Sequence, residues 1–319
     1  MKPAAISLHP EIKRVVVVNR TVPQNKLTNT IEGILTGEWV GQDKQGVVRT
    51  LSGIQSILRD SPTLEAIIAD ETLTGSGTGG SFPFALNWEE VEELCNKYQS
   101  DALVSLETYD SDFIVTKGTK VVDKKDSEGK VIKSTEYYAE GIATVKIGMR
   151  IYDPIARTIV DEAHYSDNKR WYATGRSVAD ALLQLIDSKE AVKQVSFSIG
   201  NYYGRRISPS WIRVSREFYR KPKSNTFLSQ GGRQADVGDW DGALESWLKA
   251  ATSQNSKIAG RAAVNVALGY EVLGDLQEAS KWAMKSYTDY GNKTGLEYAR
   301  ILSNRILDQQ KLELQLGNK

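Results

Sequence analysis

Gly238-Asp239-Trp240-Asp241-Gly242-Ala243-Leu244-Glu245-Ser246-Trp247-Leu248-Lys249-Ala250 returns thirty-six residues later as Gly274-Asp275-Leu276-Gln277-Glu278-Ala279-Ser280-Lys281-Trp282-Ala283-Met284-Lys285-Ser286. In the first copy Trp240, Ala243, Leu244, Trp247, Leu248 and Ala251 recur at helical spacing, and in the second Leu276, Ala279, Ala283 and Tyr287 do the same. Gly238 and Gly274 are placed to close a preceding helix in the left-handed conformation. Asp239 and Asp275 are placed to cap the next one, and Glu278 stands three residues after Asp275. The expectation is two helix pairs, the first weakened by Gly231-Gly232, followed by a covering helix over Glu297 to Leu316. The polar, proline-bearing Lys221 to Asn225 reads as a linker, so the domains are expected at 1–223 and 224–319.

Before that linker the pattern changes. Val15-Val16-Val17-Val18 is a run of β-branched residues suited to a strand covered on both faces. Leu27 to Trp39 has no decisive period. Val47, Leu51, Ile54 and Leu58 mark a helix stopped at Asp60-Ser61-Pro62, and Leu64 to Ala69 reads as a second strand. Asn87 caps a helix whose buried stripe is Trp88, Val91, Leu94, Cys95 and Tyr98, and Ala102 to Leu106 is a third strand. Polar arms around Asp126-Ser127-Glu128-Gly129 form a hairpin that protrudes or forms a sheet edge guarded by its lysines. Ala143, Val145, Ile147, Met149 and Ile151 alternate with polar partners as a strand with one wet face, and Thr158 to Glu162 returns. Gly175 to about Ile199 is helical with Gly200 as its stop, and Pro209 to Tyr219 alternates as a last strand. The fold class expected is therefore a mixed α/β (α+β) sheet with flanking helices, followed by an all-α domain.

Composition narrows function. A net charge of +1 on 319 residues disfavours a general polyanion binder. No apolar run approaches the eighteen or so residues of a membrane helix, and no apolar leader is visible after Met1. The single Cys95 rules out an internal disulfide and a cysteine metal cluster, and His9 and His164 stand far apart, so no metal site is expected. Cys95 on an apolar stripe reads as a packed thiol. No catalytic residues and no cofactor are assigned. The glycines of Thr72 to Phe84 lack the spacing of a phosphate cradle and read as a loop. Asn19-Arg20-Thr21 and Tyr109-Asp110-Ser111-Asp112 follow strands, where α/β sheets place their chemistry; turn or cap roles are the plainer reading. Seven basic residues against one acidic between Arg205 and Lys223, with Trp211, Phe218 and Tyr219 among them, suit nucleic-acid binding, a solvated strand face or a patch meeting acidic side chains.

Val266-Ala267, Tyr270, Gly274-Asp275-Leu276 and Ala279 resemble the tetratricopeptide repeat, although the spacing is two residues longer than usual. The strand within IKRVVVVNRT (12–21) and the hairpin within VKIGMRIYDPIARTIVDEA (145–163) are similar to the amino-terminal domain of TolB and to the curli-channel lipoprotein family. Together the chain resembles an uncharacterised family of envelope lipoproteins from Bacteroides-type bacteria. That resemblance implies a periplasmic-face location and a scaffolding or assembly role. A membrane tie would come only through a lipid on a removed leader, and the cytoplasm stays open.

The leading expectation is a non-enzymatic interaction protein with a protein partner. On the tetratricopeptide pattern its groove includes Arg261, Asn265, Leu268 and Glu271, with a solvated face or burial against the other domain as the alternative for these four. A hydrolase or nucleotide-dependent enzyme on the α/β domain, and nucleic-acid binding through 205–223, are the competing functions.

Overall fold

The computed structural model describes residues 1–23, 42–75, 81–220 and 225–317. Leu27 to Trp39, residues 76–80 of the glycine loop and Lys223 lie outside them. The chain forms two compact units, Ala4–Ser210 and Met1–Pro3 with Trp211–Lys319.

In the first unit five strands take the order β2-β1-β3-β4-β5. They are β1 (Arg14–Pro23), β2 (Glu65–Gly75), β3 (Ala102–Lys125), β4 (Val131–Asp153) and β5 (Thr158–Gly175). β1 lies parallel to β2 and β3, whereas β3, β4 and β5 are antiparallel, so the sheet is mixed. The valine run is central as its composition demands, with all four side chains fully buried. Val15 and Val17 face α1 (Gln42–Arg59) with Val47, Leu51 and Ile54, while Val16 and Val18 face α2 (Trp88–Tyr98) with Val91, Leu94 and Cys95. Asn87 caps α2 through a reciprocal box with Glu90.

Several elements extend or break where the local pattern does not say so. The segment Gly175 to Ile199 is two helices, α3 (Val178–Gln184) and α4 (Ser188–Ile207). Leu185 turns extended and Asp187 caps the second helix. Gly200 does not stop α4. It is where α4 touches α1: a Cβ there would stand 2.1 Å from the Thr50 carbonyl oxygen, so glycine serves close helix approach. Tyr109 to Asp112 is no turn, because β3 runs through it, paired with β4 from Leu103 to Lys125. The expected turn at Asp126–Gly129 is present, with Asp126 accepting from Glu128 and Lys130 and Gly129 at φ +81°.

Among the described residues the second unit is built on five helices: α5 (Thr226–Asp236), α6 (Trp240–Ala251), α7 (Ser256–Leu273), α8 (Leu276–Thr288) and α9 (Lys293–Leu316). Each packs on the next in sequence. Gly238 and Gly274 have positive φ, and Asp239 and Asp275 cap α6 and α8 by accepting from Gly242 and Glu278. Gly231 does not spoil α5. A Cβ at that position would lie 2.5 Å from the Trp247 indole nitrogen, so the missing side chain is the seat of a fully buried tryptophan.

Pro209 to Tyr219 is not a strand, because beyond Ser210 it has no ladder partner. Trp211–Arg220 runs without regular secondary structure and packs with the helices. The units consequently divide at Ser210/Trp211, ahead of the linker read from composition.

Candidate functional site: a helical groove that holds an extended segment

α7 is the centre of the helical unit, between α6 and α8. Its apolar side supplies Ala262, Val264, Val266 and Ala267 to the two cores on either side. Arg261, Asn265, Leu268 and Glu271 recur at spacings of four and three, so they share one stripe of this helix. That stripe is not open. Asn265 is fully buried, Leu268 and Glu271 are buried, and Arg261 is half-buried. The chain's own Arg216–Arg220 lies against them.

The contacts follow backbone geometry. The Asn265 side-chain oxygen accepts the Tyr219 N–H at 2.8 Å, and its NH2 donates to the Tyr219 carbonyl at 2.7 Å. One amide thus pairs with both backbone polar groups of one residue. Further along, Arg216 donates twice to Glu271, each bond 3.0 Å. Three extended residues separate Arg216 from Tyr219, about 10 Å. Six helical residues separate Glu271 from Asn265, about 9 Å. The match lets the segment run antiparallel to α7 with both anchors engaged.

Side chains complete the seat. Phe218 packs at 5.6 Å from the Trp247 ring, and the Arg261 guanidinium lies 5.1 Å from the Tyr219 ring centre. The Tyr219 hydroxyl meets the Thr294 hydroxyl at 3.1 Å. Glu271 also accepts from Tyr298 and Arg305 on α9. Burial pushes its carboxyl upward, but the bonds from Arg216, Tyr298 and Arg305 outweigh that and hold it below the usual carboxylate range. Burial beside Glu271 drives the Tyr298 hydroxyl strongly upward, so it stays a donor.

Helical spacing put the four residues on one stripe, and the reading of the basic stretch as a patch meeting acidic side chains fits Arg216 at Glu271, but the two were not joined. A signal was available: Arg216, Phe218, Tyr219 and Arg220 carry the charge and aromatic surface that a groove with Glu271 and Asn265 accepts. The basic stretch is accordingly divided. Arg205 and Arg206 end α4 in the first unit, while Arg216 and Arg220 in the second are paired with Glu271 and Asp236.

The strand-end residues of the sheet unit do not converge. Asn19 accepts from the Thr21 N–H and hydroxyl at 3.0 and 2.8 Å, the local bonding its plainer reading expects. Tyr109 bonds Ser196 at 2.7 Å, Ser111 bonds Asp43, and Asp110 faces Lys146 at 3.8 Å. Arg20 instead joins a cluster that composition did not announce. Glu107, fully buried at the irregularity between Leu106 and Thr108, meets Arg20 at 2.9 Å and Arg150 at 3.7 Å and accepts from Tyr152 at 3.0 Å. Arg150 also bonds Glu162 at 2.6 Å and the Pro83 carbonyl at 2.7 Å. This cluster ties the region after the glycine loop to the sheet. Among the described residues, no group of three or more His, Cys, Asp or Glu is arranged to hold a metal ion, and no helix is long and apolar enough to cross a membrane.

Two family models match the chain. One, described as domain of unknown function (DUF8603), covers residues 12–219, more than half of the chain. The other, described as domain of unknown function (DUF6340), covers residues 229–305. The first match ends on Tyr219, within the seated segment. No curated protein matches. Among solved structures, a neuraminyllactose-binding hemagglutinin homolog from Helicobacter pylori aligns at 8% identity with a TM-score of 0.26, over 64% of this chain and 87% of that one. A similarity so low transfers neither fold nor function.

Proposed function

We propose that this chain, which belongs to the DUF8603 family, is a non-enzymatic assembly or scaffold protein whose helical unit is a tetratricopeptide-like clamp for extended polypeptide. The observation that carries the reading is the paired bond from Asn265 to both backbone groups of Tyr219. Such a contact selects an extended backbone whatever the side chain, and the Glu271–Arg216 pair then adds a register. The clamp is closed on the chain's own segment, so a protein partner takes that segment's place. The exposed half of the segment, with Trp211 75% exposed and Ile212 and Val214 also open, is where exchange starts.

The envelope location belongs to the same proposal. It rests on the resemblance of the sheet strands to envelope lipoprotein domains.

Capture from an envelope extract tests the clamp with three baits: the unaltered chain, Arg216→Ala, and Arg216→Ala with Asn265→Ala. Loosening the segment through Arg216 is expected to enrich a specific protein. Removing Asn265 in that background is expected to lose it. Equal capture by all three baits would remove the clamp reading.

A further inference from the structure

β3 is paired with β1 only as far as Leu106. From Asp112 to Lys125 its other side pairs with β4, and among the described residues no strand covers the outer edge. β5 flanks β4 only from Tyr137, so the tip of the β3–β4 arm is a two-stranded ribbon. A two-stranded ribbon alone in water is marginal. This one also exposes β-branched apolar residues, with Ile114, Val115 and Val121 at 57%, 43% and 68% exposure. An edge of that kind is a template for another strand.

The sequence of the edge names the strand. In an antiparallel strand the N–H and C=O of successive residues point alternately to either side. A two-fold pairing of β3 with a second β3 joins outward-pointing residues to outward-pointing residues. The dyad therefore falls on a residue, never between two. With the dyad on Gly118, Asp112 faces Lys124, Ile114 faces Val122 and Val115 faces Val121, each pair occurring twice. One residue earlier, Ile114 would face Lys120 and Asp112 would face Val122. One residue later, Asp112 would face Asp126 and Ile114 would face Lys124. The central register makes the most matched pairs of the three, two apolar and one of opposite charge, against Phe113 facing Asp123 and Asp110 facing Asp126; one residue earlier only Asp110 with Lys124 and Phe113 with Val121 match, and one residue later none does. Lys117 near the dyad opposes the pairing, while Lys120 is held by Glu136 at 3.1 Å on the neighbouring strand. Glycine at the dyad presents no side chain where the two chains cross.

We infer that the occupant of this edge is a second copy of the chain, joined β3 to β3 across a two-fold axis at Gly118. The result is one sheet continuing through two molecules.

Full-length chains test it by two readouts. Val115→Cys and Val121→Cys variants are oxidised separately and as a mixture. Paired Cα atoms in either type of antiparallel position stand about 4.5–5.5 Å apart, within disulfide reach. Buried Cys95, whose thiol burial pushes up to about 11, does not compete. The mixture is expected to form the disulfide-linked heterodimer and neither variant alone to cross-link comparably. In sedimentation, the unaltered chain is expected to double in mass with rising concentration. Asp112→Lys is expected to remain monomeric, and Asp112→Lys with Lys124→Asp to dimerise again. A monomer at every concentration, no mixed disulfide, or equal cross-linking of the separate variants would overturn the inference.

Discussion

Asn265→Ala is the sharpest probe of the seated segment. It removes both bonds to Tyr219 and touches little else, since Asn265 is fully enclosed by its own helix and the segment. A buried backbone group left without a partner costs about 1–3 kcal/mol. Two such groups set a ceiling of roughly 6 kcal/mol on that scale. The actual loss is smaller, because Tyr219 is half-buried and the segment can lift its amide to water. Arg216 and Phe218 still hold on either side of the defect. A net loss of about 2 kcal/mol in docking is the working figure, equivalent to roughly a 30-fold larger opening constant. Amide hydrogen exchange reads it directly: Tyr219 should exchange about 30-fold faster under conditions where local opening limits exchange. Amides in the middle of α7 should change far less. Thr294→Val, which removes only the contact with the Tyr219 hydroxyl, is the control and should move the Tyr219 amide by a few-fold at most. If Tyr219 exchange in Asn265→Ala matches the unaltered chain, the segment is not held through its backbone and the clamp argument fails.

Four further outcomes follow from the same contacts. Glu271 has a lowered pKa in the folded unit, so its contribution is full above the ordinary carboxylate value and is lost as pH falls through the depressed one. Acid melts of the unaltered chain should lose stability over that window, and Glu271→Gln should show a weaker slope there. Gly200→Ala gains about 1 kcal/mol of helix propensity, yet its methyl meets the Thr50 carbonyl at 2.1 Å. Overpacking of about 1–3 kcal/mol or more should win, giving a lower melting temperature for the sheet unit. Glu107→Ala leaves Arg20 and Arg150 facing each other without their shared carboxylate, and a loss of about 3–5 kcal/mol is expected in denaturant unfolding. Cys95 should resist a thiol reagent at neutral pH in the folded chain and react promptly in denaturant, because burial pushes its thiol up to about 11.

Local chemistry was legible wherever one residue's neighbours along the chain decide its structure. The caps at Asn87, Asp239 and Asp275 and the glycines closing α5 and α7 follow from bonds made within a few residues. The valine run and the helix stripes follow from burial at a fixed period. What escaped reading depends on partners far along the chain. Gly200 looks like a helix stop until Thr50, 150 residues earlier, arrives beside it. Gly231 looks like a weak helix until Trp247 occupies its space. Tyr109 to Asp112 looks like a turn until β4 supplies a ladder for its backbone.

The same division runs through the site. Spacing along α7 was enough to place Arg261, Asn265, Leu268 and Glu271 on one stripe, because the pitch of a helix is a local property. Whether the stripe was open could not be read from α7. It is decided by Trp211–Arg220, whose alternation reads as a strand but which forms no regular secondary structure. Its backbone groups need acceptors and donors, Arg216 needs a carboxylate, and Phe218 and Tyr219 need apolar cover. The sequence alone determined a mixed sheet, a helical tail and the alignment of four residues along one helix stripe. The tertiary structure decided which extended chain sits there, because complementary groups forty-six and fifty-five residues apart meet only when the helices have packed.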